Sequence, residues 1–154
     1  MTVTLKTHMK KVLLIIPILL LAAAFTKIQP LQPENKSEID FYKGSWSEAV
    51  NKAKAEKKAI FLDIYATWCG PCKLLKKQTF TDKNVAGFYN TNFINVSLDG
   101  ETGDGALLAQ KYQIPGYPTL IILDFNETPV HATAGFLNAK EFMTFGKQGL
   151  KKIK

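Results

Sequence analysis

One hexapeptide, Trp68-Cys69-Gly70-Pro71-Cys72-Lys73, constrains this chain more than any other stretch, because it sets both cysteines two residues apart on a turn that opens a helix. That spacing suits reversible dithiol–disulfide exchange. Zinc sites share it, but tetrahedral zinc takes about four ligands. The remaining candidates are His8, near the N-terminus, and His131, far along the sequence, so no metal is expected. A Cys69–Cys72 bond closes a loop too short to constrain the unfolded chain much. The pair is therefore read as reactive rather than as a staple.

The 154 residues suffice for one ordinary domain, and the 46% hydrophobic content is enough for a core. Residues 1–24 are not expected to belong to it. Lys10 and Lys11 precede an apolar run from Val12 that passes into Ala22-Ala23-Ala24, the basic start, apolar middle and small-residue cleavage site of a secretory signal. The run from Val12 to Phe25 is shorter than the roughly 18 to 20 residues that span a bilayer, and it contains Pro17. A cleaved signal is thus favoured over an uncleaved anchor, and Met9, followed directly by Lys10, is a candidate start. Residues 25–44, polar and carrying Pro30 and Pro33, read as a linker, and 45–154 as the domain. Export would place the chain in a periplasmic or other extracytoplasmic space, where disulfides persist. The formal charge of +7 falls to +4 without the three lysines of residues 1–24. Every basic residue but histidine is lysine, so bidentate guanidinium contacts to phosphate are absent and nucleic-acid binding is not expected.

Along the domain, Ser45-Trp46-Ser47-Glu48 fits a capping box, and Trp46, Ala49, Val50 and Ala53 recur at helical spacing, predicting a helix over 45–57. Ala59 to Tyr65 is a nearly continuous apolar run, as expected of a strand buried on both faces. After the cysteine turn, Lys73 to Lys77 continues a helix; Thr79 to Val85 reads as a break, with a recapped helix through Tyr89. Phe93–Leu98 and Thr119–Asp124 predict two further strands, with a Gly- and Asp-rich loop over 99–105 and a helix over 106–112 between them. Asp99, Glu101 and Asp104 miss the spacing of a calcium loop. Asn126-Glu127 marks a hairpin turn before a strand over 130–134, and Asn138 caps a closing helix over 139–150.

The nucleophile in disulfide exchange is the thiolate, and a free cysteine with a pKa of about 8.5 is mostly protonated at neutral pH. A helix N-terminus favours the charged sulfur of Cys69 through its unpaired N–H groups and dipole. Pro71 is tolerated in that first turn because the N–H it lacks would have no partner there. Cys72, one turn further in, is the resolving thiol, so Cys69 is expected to be exposed and Cys72 covered. Asp63 interrupts the buried strand six positions before Cys69. It is either an edge carboxylate facing water or a buried one with a raised pKa, able to take the proton of Cys72 as a general base.

Asp63-Ile64-Tyr65-Ala66-Thr67-Trp68-Cys69-Gly70-Pro71-Cys72-Lys73, followed later by Gly116-Tyr117-Pro118-Thr119-Leu120, closely resembles thioredoxin. The resemblance covers roughly Ser45 to Leu150. Within the superfamily the chain is most similar to the exported C-terminal reductase domain of the thiol:disulfide interchange protein, notably in Thr79 to Val85 and Ser47 to Lys58. It implies an α/β fold with a central mixed sheet flanked by helices, Cys69 as nucleophile, Cys72 as resolving thiol, Asp63 as buried acid and Pro118 on a cis bond facing the cysteines. Trp68, Gly70, Pro71, Tyr117 and Pro118 would form the substrate surface, with the backbone of Tyr117 free to pair with an extended substrate segment. Two departures stand out. Thioredoxin carries a lysine near the buried acid, on the strand corresponding to Phe93–Leu98, where this chain has Ser97. The interchange domain has a different dipeptide between its cysteines, whereas Gly70-Pro71 is that of thioredoxin.

The expectation is an exported, monomeric thiol:disulfide oxidoreductase that reduces disulfides in secreted or periplasmic proteins. A disulfide oxidase or isomerase of the same fold, or a redox-inert binding module, is the alternative. No flavin or nicotinamide fingerprint occurs, so no cofactor is expected and electrons would come from a separate, membrane-bound donor protein.

Overall fold

In the computed structural model, residues 36–153 are described; the expected signal segment and residues 25–35 of the expected linker lie outside them. Helix α1, Trp46–Glu56, opens on the Ser45 capping box with Glu48 and ends at Lys57, whose left-handed φ of 50° lets its N–H reach the carbonyls of Ala53 and Lys54. The chain then enters strand β1, Ala59–Tyr65. This strand pairs in parallel with β2, Phe93–Asp99, and antiparallel with β3, Thr119–Leu123, which pairs antiparallel with β4, Pro129–Ala134. The order β2-β1-β3-β4 makes a four-stranded mixed sheet with β1 inside it.

Because side chains alternate along a strand, β1 feeds two cores. Ile60, Leu62 and Ile64 meet Ala49, Val50 and Ala53 of α1 and Leu108 on one face. Phe61 turns the other way, onto Tyr89 and Phe142. There the Tyr89 ring stacks on Phe142 with centroids 4.2 Å apart, and its hydroxyl donates to the Phe142 carbonyl at 2.8 Å. Burial on both sides is why β1 reads as a run of apolar residues. The same alternation turns Asp63 toward the Phe61 face.

The cysteine turn leads into α2, Gly70–Leu74, which passes directly into one π-helical turn, Leu75–Thr79. Leu75 is buried in the Phe61 core, fixing this segment over that face of the sheet. The expected break follows, and Asp82 recaps α3, Lys83–Asn92, by accepting from the N–H groups of Asn84 and Val85. Helix α3 therefore runs three residues past Tyr89. Helix α4, Gly103–Lys111, starts within the expected loop. Its Gly105 permits this, since a Cβ there would lie 2.0 Å from the Asp99 carbonyl oxygen. The final helix α5, Ala139–Leu150, opens on a capping box of Asn138 and Glu141 and buries Phe142 and Phe145.

Residues 39–42, inside the expected linker, are packed against the domain. Ile39 is 4% exposed and donates its N–H to the Phe80 carbonyl at 2.8 Å. Phe41 forms a parallel bridge with Asn95 of β2, its ring sits edge-on to Phe80 at 5.3 Å, and the Tyr42 N–H reaches the Asn95 carbonyl. Among the described residues no helix is long and apolar enough to cross a membrane.

Candidate active site

Cys69 occupies the N-cap of α2 with extended backbone, φ −65° and ψ 113°, and Pro71 stands in the first turn. A disulfide joins Cys69 to Cys72, with an S–S distance of 2.01 Å. The Cys72 N–H donates to Cys69 Sγ at 3.1 Å, so a backbone donor that would otherwise lack an intrahelical partner is aimed at that sulfur. Gly70 and Pro71 are exposed. The expectation that Cys69 is exposed is corrected: it is 2% exposed, as is Cys72. Both sulfur-bearing residues pack with Ala66 in a small cluster that Tyr65 and Tyr117 close off.

Tyr117 precedes the buried Pro118, and the bond between them is cis. Trp68 is the projecting partner, 66% exposed, with its ring edge-on to Tyr117 at 5.9 Å. Its indole Nε1 donates to both carboxylate oxygens of Glu101 at 3.1 Å. Glu101 is thus a contact residue that the sequence reading considered only as a calcium ligand. Gly100 beside it has a packing reason, since a Cβ there would lie 2.5 Å from the Tyr117 ring and 2.7 Å from Ile64. The sequence carried no local signal for this contact beyond the Gly- and Asp-rich loop that holds Glu101.

Asp63 is 1% exposed, which excludes an edge carboxylate facing water. Its register partner on β2 is Ser97, whose hydroxyl donates to Asp63 Oδ2 at 2.8 Å. Oδ1 is buried without a hydrogen-bond partner. Burial pushes the carboxyl up to about 6, against the pull of the Ser97 hydrogen bond and of the Lys76 ammonium. Lys76, from the π turn, was legible only as one of several helix lysines. Its Nζ sits 3.3 Å from the centroid of the Tyr65 ring. Lys76 thus brings a positive charge from the helix that favours the Asp63 anion.

Fold and site together define a thiol:disulfide oxidoreductase of thioredoxin type. The family model described as thioredoxin-like matches residues 40–124, and the chain belongs to that family. It is homologous to the C-terminal thioredoxin-like domain of the thiol:disulfide interchange protein DsbD. With that of Citrobacter koseri it shares 30% identity over 141 residues, which is 83% of this chain and 25% of the relative. The chain thus spans about a quarter of the length of that curated relative. Among solved structures, a candidate disulphide-isomerase from Bacteroides thetaiotaomicron is 37% identical, with a TM-score of 0.67 over 76% of this chain and 97% of that one. The oxidised C-terminal domain of Neisseria meningitidis DsbD shares the fold at 22% identity, with a TM-score of 0.58 over 67% of this chain and 90% of that one.

Proposed function

We propose that the chain is an exported disulfide reductase acting on secreted or periplasmic proteins. Cys69 attacks a substrate disulfide as thiolate, forming a mixed disulfide and releasing one substrate sulfur. Cys72 then passes its proton to Asp63 and displaces the second substrate sulfur, closing the Cys69–Cys72 bond. Two electrons move from the cysteine pair to the substrate, and a separate membrane-bound donor protein returns them. Residues 1–24 direct export and residues 25–44 lead into the domain. Trp68, Gly70, Pro71 and Tyr117 form the contact surface, and the backbone before Pro118 pairs with an extended substrate segment.

The observation that carries this reading is Asp63, a fully buried carboxyl on the sheet face covered by the cysteine-bearing helix, with a pKa raised to about 6. Such a group is ionised yet basic at neutral pH. It serves the attack of Cys72, the step that frees reduced substrate. The 37% identity to a candidate disulphide-isomerase supports a second reading, isomerisation by the same pair. Equilibrating the cysteine pair against a glutathione buffer decides between them. A reductase is expected near the value of about −270 mV typical of thioredoxin, and a value near the −180 mV or so of disulfide isomerase would overturn the reductase reading.

A further inference from the structure

Many carboxylates of this chain are already engaged. Glu56 and Glu127 hold lysines, Glu48 and Glu141 close capping boxes, and Asp104 accepts the Trp46 N–H. Glu101 is placed differently. Both of its carboxylate oxygens take the indole N–H of Trp68, and among the described residues it stands in no ion pair. The chain has 20 lysines to 13 acids, so this carboxylate does not lack a cation for want of lysines. An indole is a neutral donor. It fixes the carboxylate beside the residue that precedes Cys69 without cancelling the charge.

That charge is felt on the substrate surface. Tyr117, edge-on to Trp68 at 5.9 Å, has its ionisation held back by burial and then by the charges of Glu101 and Asp99. Trp68 itself stands in solvent, and an indole face is the aromatic surface that attracts a cation best. With its N–H bound to an anion the ring is more electron-rich, which strengthens that attraction. Carboxylate and ring therefore favour the same group, a lysine or arginine side chain laid across Trp68.

We propose that Glu101 and the face of Trp68 select substrates with a cationic side chain beside the disulfide to be reduced, Glu101 being the specificity-determining residue. The inference rests on the reductase reading and adds the class of segment that its site takes. The chemistry at sulfur is unchanged: Cys69 forms the mixed disulfide and Cys72 closes the Cys69–Cys72 bond. Glu101 governs how the segment is held while Cys69 attacks.

Two peptides test this, each closed by one disulfide and identical except for a lysine or a glutamate next to each cysteine. Single-turnover oxidation of the reduced protein is read by acid quench and alkylation, and each rate is divided by that of dithiothreitol with the same peptide, which removes the peptide's own reactivity. The wild type should favour the lysine peptide about three- to five-fold at an ionic strength of ~0.01 M, the ratio falling toward one at ~0.5 M. Glu101→Gln keeps an acceptor for the Trp68 indole but removes the charge, so it should abolish the preference while preserving the tryptophan emission of the folded protein. Glu101→Ala removes both and should change both. Equal rates in the wild type at low salt, or a preference that survives in Glu101→Gln, overturns the proposal. A reduced protein that exchanges with neither peptide sinks instead the reductase reading on which it rests.

Discussion

Asp63 costs the folded chain something at neutral pH, and the sign of that cost is fixed by its environment. Its folded pKa of about 6 stands above the usual value of about 3.9 for an unfolded aspartate. Between those two values the native state holds a proton that the unfolded state has released, so stability falls as pH rises through that window and stays reduced above it. Asp63→Asn removes the ionisation. It should stabilise the oxidised protein at pH 7.5 by up to about 3 kcal/mol, with the gain vanishing below about pH 4. Urea denaturation at a series of pH values checks this, and a gain that does not depend on pH would contradict it. The carboxylate itself was visible in the sequence because it broke an apolar run. Its partners were not all visible. Ser97 was met through the resemblance, whereas Lys76 and Glu101 reach their contacts across 13 and 33 residues from Asp63 and Trp68, a proximity that local periodicity does not encode. The burial of Cys69 escaped for the same reason, since Tyr117 of a distant loop packs against the cysteine cluster.

At the scale of elements, caps announced themselves and close backbone approaches did not. Ser45 with Glu48 and Asn138 with Glu141 each form the reciprocal pair that their spacing predicts. Helix α4 was partly hidden because Gly103 and Gly105 read as loop, yet Gly105 lies in its first turn so that the helix can sit against the end of β2. Gly105→Ala places a methyl against the Asp99 carbonyl. The expected loss is roughly 1–3 kcal/mol, with an unchanged denaturant slope. A loss under about 0.5 kcal/mol, the range of an ordinary surface change, would show that the contact relaxes freely. The π turn at Leu75–Thr79 likewise had no sequence signature. It carries Lys76 over the Asp63 face while Leu75 and Thr79 stay buried, Thr79 donating its hydroxyl to the Leu137 carbonyl at 2.7 Å.

For the molecule as a whole, the alternation of helices with apolar runs was legible in the residues, and the central mixed sheet flanked by helices followed from the resemblance that the cysteine and Tyr117-Pro118 segments carry. Where the packed domain begins was less legible, because Ile39 and Phe41 stand isolated among polar residues. The burial of Ile39 predicts that Ile39→Ala destabilises the protein by about 2–5 kcal/mol, as a core truncation does. Equilibrium unfolding measures it, and a silent substitution would return residues 36–44 to the role of a simple linker.

The bridge from Phe41 to Asn95 has a further effect, on how copies of this chain meet one another. Laid beside β2, residues 41–42 occupy part of that margin of the sheet. The opposite margin, β4, begins with Pro129 and slips register between Ile122 and Leu123 of its neighbour. Prolines and irregularities of this kind discourage strand-to-strand growth. Neither side of the sheet thus offers a long, flat template for strand-to-strand growth between copies of this chain.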